Sequence, residues 1–267
     1  MYEKIENKQI AQFQKKILDW YALHQRDLPW RKTRDPYHIL ISEVMSQQTQ
    51  ISRVIPKFAL WITALPTITH LAEAPVAEVL KLWSGLGYNR RALNLKKAAE
   101  TIVKEYGGNF PQDEKQLLAL PGIGEYTARA VLCFAFNKQI AVVDTNVRKV
   151  ILVEVLKETE ERIAIKDIAQ QLLPDGKAYE WNQALMDYAG AMLKKEKISI
   201  PKQSKFIGSH RYYRGQILKL LLEKKQIQLH ELAALLKKDI NATKSLVLEL
   251  QKEGFVTSNN NIVVLNA

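Results

Sequence analysis

Two carboxylates stand in settings suited to acid chemistry. Glu43 lies within HILISEVMSQQTQISRVI, surrounded by apolar residues, and desolvation there would raise its pKa and keep a proton available. Asp144 ends the apolar run Ile140-Ala141-Val142-Val143 and precedes the basic stretch TNVRKVIL. There it reads as a helix N-cap, as a functional carboxylate held at low pKa by neighbouring amides, or as both. Taken alone, Glu43 also reads as a helix carboxylate facing solvent. The next turn argues otherwise, because Ser46-Gln47-Gln48-Thr49-Gln50 are five uncharged polar residues in a row, where a solvated face would normally carry Lys or Glu. Amides and a hydroxyl suit wedging into a base stack and reading base edges without repelling phosphate. A protonated acid beside an ionised carboxylate is the pair that cleavage of a purine from deoxyribose requires. One protonates the leaving base and the other stabilises an oxocarbenium-like sugar.

The strongest local signal is Leu120-Pro121-Gly122-Ile123-Gly124-Glu125-Tyr126-Thr127-Ala128-Arg129-Ala130, between the helical stretch DEKQLLAL and an apolar helix ending in FAF. Glycines at i and i+2 permit a tight turn, so that the amides around Gly122, Ile123 and Gly124, and those at the helix start through Thr127, can point at a phosphate. A plain helix-helix turn is the alternative on the glycines alone. The LPGIG order and the Thr127-Ala128 that follows favour a helix-hairpin-helix. Backbone carbonyls of Leu118, Leu120 and Ile123 could also hold a monovalent cation, Na or K, since oxygen ligands suit hard ions.

The elements that must position these groups are helical through about residue 195, with 3.6-period apolar spacing in IAQFQKKILDWYALH and ALNLKKAAETIVKEY. The segment from Lys194 to Gly215 loses that periodicity, is rich in Lys and Arg, and reads as a linker able to track a phosphate backbone. After it, YRGQILKLLLEKK, LHELAALLKK and NATKSLVLELQKEG are helical, and FVTSNNNIVVLNA carries two apolar stretches around an Asn-rich turn. Three helices and a hairpin make a winged helix-turn-helix, a module that binds DNA or serves only as a protein contact. The expected organisation is thus an all-α domain over 1–195, a basic linker over 196–212 and a winged helix over 213–267. Within the first, residues 32–138 form one helical subdomain and the N-terminal helix with the helices after Asp144 the other, so that Glu43 faces Asp144 across a cleft. Thirty-nine Lys and Arg against 28 acids give a net charge of +11, which favours a polyanionic partner. No run approaches the roughly 18 apolar residues of a membrane span, and a monomeric protein of the cytoplasm, nucleoid-associated in a bacterium, is expected. A single cysteine, Cys133, excludes disulfides and cysteine-ligated zinc or iron-sulfur clusters.

In order along residues 25 to 190, Leu28-Pro29-Trp30-Arg31, Ser42-Glu43-Val44-Met45, Gln47-Gln48-Thr49-Gln50, Gly85-Leu86-Gly87-Tyr88, LPGIGEYTA, Val143-Asp144 with Asn146-Val147, and Asn182-Gln183-Ala184-Leu185-Met186-Asp187 closely resemble the MutY-type adenine DNA glycosylases. The resemblance implies an all-α helix-hairpin-helix glycosylase fold acting on duplex DNA with a mispaired or damaged base, and hydrolysis of adenine from opposite 8-oxoguanine or guanine. It implies that Glu43 protonates the adenine and Asp144 stabilises the sugar cation, with Tyr126 and Asn146 hydrogen-bonded around them. Arg26, Leu28, Trp30, Arg31 and Asp187 match positions lining the pocket for the extruded base. Gln48, Thr49, Leu86 and Tyr88 match those that probe the opposite base and fill the gap. In the related endonuclease III branch the position of Tyr126 is a lysine that forms a Schiff base, which tyrosine cannot do, so a monofunctional enzyme is expected.

The sequence departs from the family in two places. The four cysteines that hold an iron-sulfur cluster after the Asn-Gln-Ala-Leu-Met stretch are replaced by GAMLKKEKISIPKQSKFIGSHRYYRG, so no cluster and no required cofactor are expected. Lys202, Lys205, His210 and Arg211 are candidates to replace its basic DNA-touching loop. The tail reads as a winged helix rather than the larger 8-oxoguanine-recognition domain. Two other readings stand beside adenine removal. One is a same-fold glycosylase acting on hypoxanthine, uracil or thymine; the other is a catalytically idle DNA-binding protein.

Overall fold

The computed structural model describes residues 5–157, 165–196 and 205–266, and these fall into two compact units. Unit 1 comprises residues 1–44, 110–119 and 123–201, and unit 2 comprises 45–109, 120–122 and 202–267. Glu43 and Asp144 therefore belong to one unit, and the C-terminal helices are grouped with residues 45–109. Lys202 lies outside the described residues.

Unit 1 is built on α1 (Asn7–His24) packed against α11 (Ala178–Met192), which also packs against α9 (Thr145–Val150). Between α1 and α11, Phe13 meets Trp181 and Trp20 meets Tyr188 edge-on, at 5.7 and 5.3 Å. α2 (Pro36–Ser46) begins where the Asp35 carboxylate accepts from the Tyr37 amide at 2.8 Å. Its residues Tyr37, Ile39, Leu40, Ile41 and Val44 are buried on several sides, as in a helix enclosed by protein. α7 (Glu114–Ala119) leads into α8 (Glu125–Phe136), whose Ala128, Ala130, Val131, Leu132, Cys133 and Phe134 are buried. After α9 the chain continues as a π-helical turn over Ile151–Leu156 rather than as a plain α-helix, and α10 (Ile165–Gln171) follows the undescribed stretch.

Unit 2 centres on α6 (Arg90–Tyr106), packed on α4 (Ile68–Glu73) and α5 (Val76–Trp83), with α3 (Ile51–Ala64) against α5. Val54, Phe58 and Trp61 recur every three or four residues along α3, and Trp61 meets Trp83 edge-on at 5.6 Å. α6 presents Ala92, Leu95, Ala98, Ala99 and Ile102 to this core and ends at Gly107, whose φ of +60° suits a left-handed cap.

The C-terminal part contains α12 (His210–Lys224), α13 (Leu229–Leu236), α14 (Ile240–Glu253) and the hairpin β2 (Val256–Asn259) and β3 (Ile262–Leu265). Asn260 and Asn261, both at positive φ, make the turn. A three-residue strand that the sequence did not reveal, β1 (Gln226–Gln228), pairs antiparallel with β3 and completes a sheet of order β1-β3-β2. The all-α fold with a terminal winged helix is therefore what the chain adopts.

Candidate active site and loop platform

Glu43 sits in the middle of apolar α2, half-buried, with Tyr126 of α8 donating its hydroxyl to Oε2 at 2.6 Å. Burial pushes the carboxyl up to about 7. The tyrosine bond pulls the other way, the negative charge of Asp144 adds to the rise, and Arg31 opposes it. A carboxyl at that value holds a proton on about half of molecules at neutral pH. Burial, with Glu43 and Asp144 adding to it, raises the Tyr126 phenol well above 10, so it stays a donor.

Asp144 caps α9. Its Oδ1 accepts from the Val147 amide at 2.7 Å, and its Oδ2 from Asn146 Nδ2 at 2.8 Å. The expectation of a low pKa is corrected, because burial moves this carboxyl above its ordinary 3.8 and the amides of Val147 and Asn146 only partly offset that rise. Capping bonds are local, whereas the desolvation comes from the surrounding fold. The two carboxyls still differ in what contacts them. Glu43 has one phenol donor, while Asp144 has the Asn146 side-chain amide and the backbone amides of Val147, Asn146 and its own residue, all of which favour its ionised form.

Asn182 places Asp144, a role that its position in a motif did not specify. This buried amide accepts from the Val142 amide at 2.8 Å and donates to the carbonyls of Ile140 (3.1 Å) and Ala178 (2.8 Å). The extended run before Asp144 is thereby pinned to α11 at both of its polar edges. Lys149 donates to the Leu193 carbonyl at 3.1 Å.

The residues expected to line a base pocket gather around Asp187 instead of standing singly. Arg31 forks onto both Asp187 oxygens at 2.7 and 2.8 Å, and Arg26 adds its own guanidinium and backbone amide. Burial works against the Asp187 charge, but the bonds from Arg31 and Arg26 outweigh it and hold the carboxyl below its ordinary value. Leu28 and Trp30 are buried beside them in sequence, and Arg26 and Arg31 line a cavity with Tyr21 and Tyr179. Asp187, 3% exposed and fully engaged, can orient the arginines more readily than touch a ligand.

In the hairpin, Gly122 (unit 2) has φ +76° and approaches Asn94 so closely that a Cβ would lie 2.6 Å from the Asn94 Cβ. Only glycine fits that position. Gly124 is the exposed N-cap of α8 with no side-chain cap, which leaves the first amides of α8 without an N-cap side chain. Ile123 and Thr127 are buried at 7% and 2%. The Thr127 side chain therefore packs inside the unit, and its part in the expected phosphate contact is that of a backbone amide near the start of α8. Leu120 is buried and Leu118 exposed.

A second cluster lies wholly in unit 2. Gln48 (φ +53°), Gly85 (+92°), Gly87 (+73°) and Tyr88 (+49°) all adopt left-handed backbone, a costly conformation for the two that are not glycine. Arg91, which the sequence reading passed over, holds both loops. It donates from Nη1 to the carbonyls of Gln47 (2.6 Å) and Met45 (3.3 Å). From Nη2 it donates to the carbonyls of Leu86 and Gly87 (3.1 Å each) and to Thr49 Oγ1 (3.3 Å). Burial pulls this guanidinium down to about 10, which leaves it charged at neutral pH. Leu86 is buried in this state and Tyr88 is 41% exposed. Lys205 is exposed, and Arg211 contacts Tyr88.

Comparison with known proteins gives three kinds of match. Residues 41–195 match the HhH-GPD superfamily base excision DNA repair proteins. The chain is 45% identical over 175 residues to an adenine DNA glycosylase of Mycolicibacterium smegmatis, covering 64% of this chain and 60% of that one. It is 37% identical over 186 residues to an adenine DNA glycosylase of Buchnera aphidicola, covering 68% of this chain and 52% of that one. The chain thus spans little more than half the length of these curated relatives. Among solved structures, a thermostable thymine-DNA glycosylase aligns with TM-score 0.67 and 34% identity over 72% of this chain and 91% of that one.

Proposed function

The chain belongs to the HhH-GPD superfamily of base excision DNA repair proteins, and from that premise we propose that it is a monofunctional glycosylase hydrolysing adenine from opposite 8-oxoguanine or guanine in duplex DNA. The observation that carries the reading is the 2.6 Å bond from the Tyr126 hydroxyl to a Glu43 carboxyl displaced to about 7. A carboxyl poised there can give a proton and take one back within a single cycle at neutral pH. Glu43 protonates N7 of the extruded adenine, and the C1′–N9 bond breaks with its electron pair going to the base. Asp144, ionised and fixed as a cap, stabilises the cationic sugar carbon. Water then adds to C1′ and returns a proton to the Glu43 carboxylate, which restores the acid and leaves an abasic site. No lysine stands in place of Tyr126 to form an imine with that sugar, so base release proceeds without strand scission.

The remaining assignments follow from the same reading. Arg26, Leu28, Trp30 and Arg31 receive the base, Gln48, Thr49, Leu86 and Tyr88 meet the gap and the opposite base, and the amides at Gly122 and Gly124 hold a phosphate. A monovalent cation on the carbonyls of Leu118, Leu120 and Ile123 would support the hairpin, and no iron-sulfur cluster takes part. The enzyme works as a monomer on duplex DNA.

The test is single-turnover base release from duplexes with adenine opposite 8-oxoguanine, guanine or thymine, run with Glu43→Gln and Asp144→Asn proteins. Release from the first two duplexes alone, lost in both variants, is expected. No release from any of them overturns the adenine assignment. The likeness to a thymine-DNA glycosylase favours a second reading, removal of mispaired thymine, and a thymine-guanine duplex in the same assay decides it. Glu43 argues for a purine, since a pyrimidine offers no N7 to protonate.

A further inference from the structure

We propose that the winged helix helps to read the base opposite the extruded adenine, with Arg211 as a positioning residue that acts through Tyr88. This inference rests on the glycosylase reading and gives the C-terminal module a part in specificity. Arg211 Nη1 donates to the Tyr88 hydroxyl at 2.9 Å, and its guanidinium carbon stands 5.7 Å from the Tyr88 ring centroid. The Arg91 guanidinium carbon is also 5.7 Å from that ring. Tyr88 therefore stands near two cations, one from α6 and one from α12.

The contact follows from the register in which α12 is clamped to α6. Arg214, one turn after Arg211 on α12, binds Glu253 of α14 at 2.7 Å, and Arg90 at the start of α6 approaches the same carboxylate at 3.7 Å. Lys97 of α6 donates to the Glu253 carbonyl at 3.1 Å. His210 and Arg214 approach Glu249 at 3.3 and 3.4 Å, which ties the start of α12 to α14. Residues 211 and 214 share one face of α12, and their targets, Tyr88 and Arg90 (the latter through Glu253), are two residues apart on the other chain segment. Seating Arg214 on Glu253 thus aims Arg211 at Tyr88. Ser209 fixes the helix start by capping the Tyr212 amide.

Tyr88 gains from being held. Its backbone is left-handed, at φ +49°, and an aromatic side chain in such a turn has other rotamers within reach. A hydroxyl bond from a guanidinium selects one of them before DNA arrives, which is how a side chain becomes a discriminating probe rather than a mobile cover. The use of Arg211 as a simple phosphate contact is the competing explanation.

The test is a double-mutant cycle on Arg211→Ala and Tyr88→Phe, with Arg211→Lys alongside. It is read as the ratio of affinities for duplexes holding a tetrahydrofuran abasic residue opposite 8-oxoguanine and opposite cytosine, and as the ratio of single-turnover rates for adenine opposite 8-oxoguanine and guanine. Thermal midpoints check that each variant folds. Arg211→Ala should narrow both ratios by roughly tenfold, the scale of a hydrogen bond to a charged donor. Tyr88→Phe should not multiply that loss, because both substitutions remove one bond. Arg211→Lys should leave the ratios narrowed. Unchanged ratios in Arg211→Ala, effects that multiply, or full recovery in Arg211→Lys would overturn the proposal, the last in favour of plain phosphate attraction. If wild type releases no adenine, the parent reading fails on its own, and the affinity ratios still decide the role of Arg211.

Discussion

The pH dependence of base release is the most exacting consequence of the Glu43 environment. With its carboxyl at about 7, about nine in ten Glu43 side chains carry a proton at pH 6 and about one in a hundred at pH 9. If that proton is the one delivered to the base, the single-turnover rate at saturating enzyme is flat below pH 6. It then falls tenfold per pH unit above 7, a drop of about a hundredfold by pH 9. The same group must also appear in stability. The folded carboxyl binds its proton more tightly than the unfolded one, whose ordinary value is 4.5. Stability from this group is thus fully present below 4.5, is lost as pH rises from there through about 7, and is level above. The displacement corresponds to about 3 kcal/mol. Glu43→Gln, which removes the titration, should therefore match wild type in unfolding free energy near pH 4.5 and exceed it by up to about 3 kcal/mol at pH 8.5. It should also release no base at either pH. Denaturant unfolding at the two pH values and a rate profile from pH 5 to 9 measure both. A rate that is constant from pH 6 to 9, or one that falls through a midpoint near 4.5, would refute the assignment of Glu43 as the acid.

Four further outcomes are expected. Asp144→Asn keeps an acceptor for the Val147 amide, so its unfolding midpoint should stay close to wild type while single-turnover release drops by about a thousandfold or more. Tyr126→Lys should introduce an imine with the sugar that borohydride traps on DNA, and absence of any trapped adduct would count against the placement of Tyr126 beside the reacting carbon. Asp187→Asn leaves the mostly buried Arg31 without its counter-charge and should cost about 3–5 kcal/mol in denaturant unfolding. Gly122→Ala forces a Cβ at φ +76° into Asn94 and should lower both the thermal midpoint and duplex affinity, the latter more steeply at low salt.

Legibility in the sequence tracked how local each cause is. Gly122 and Gly124, the capping of α9 by Asp144 and the Asn-rich turn before β3 depend on residues within a few positions of each other, and all were readable. The raised pKa of Glu43 was readable from its apolar neighbours in sequence, although the groups that act on the carboxyl, Tyr126, Asp144 and Arg31, come from other elements. The direction of the Asp144 shift was not, because the groups that desolvate it come from elsewhere in the fold. The burial of the Thr127 side chain was not readable, because the packing around α8 that covers it is tertiary. β1 escaped because three residues with one buried position carry no period. Arg91 escaped for a different reason: it donates to the backbone oxygens of Met45, Gln47, Leu86 and Gly87, and a carbonyl leaves no trace in residue type.

The two clusters divide the work along that same line. In unit 1, function depends on which donors surround a carboxyl. A single phenol leaves Glu43 protonatable, while four amide bonds on Asp144 favour its charge, a difference that suits the opposite tasks proposed for them. In unit 2, the burden falls on backbone shape, with Gln48 and Tyr88 held in left-handed conformations beside a half-buried guanidinium that stitches their loops together. Such strain persists only where the surroundings over-determine it. A substitution of Arg91 should therefore release both loops at once and weaken duplex discrimination while leaving the Glu43–Tyr126 bond and its pH midpoint unmoved. Separate movement of those two readouts would mean that chemistry and recognition are built on independent supports, and joint movement would mean that Arg91 also governs the acid.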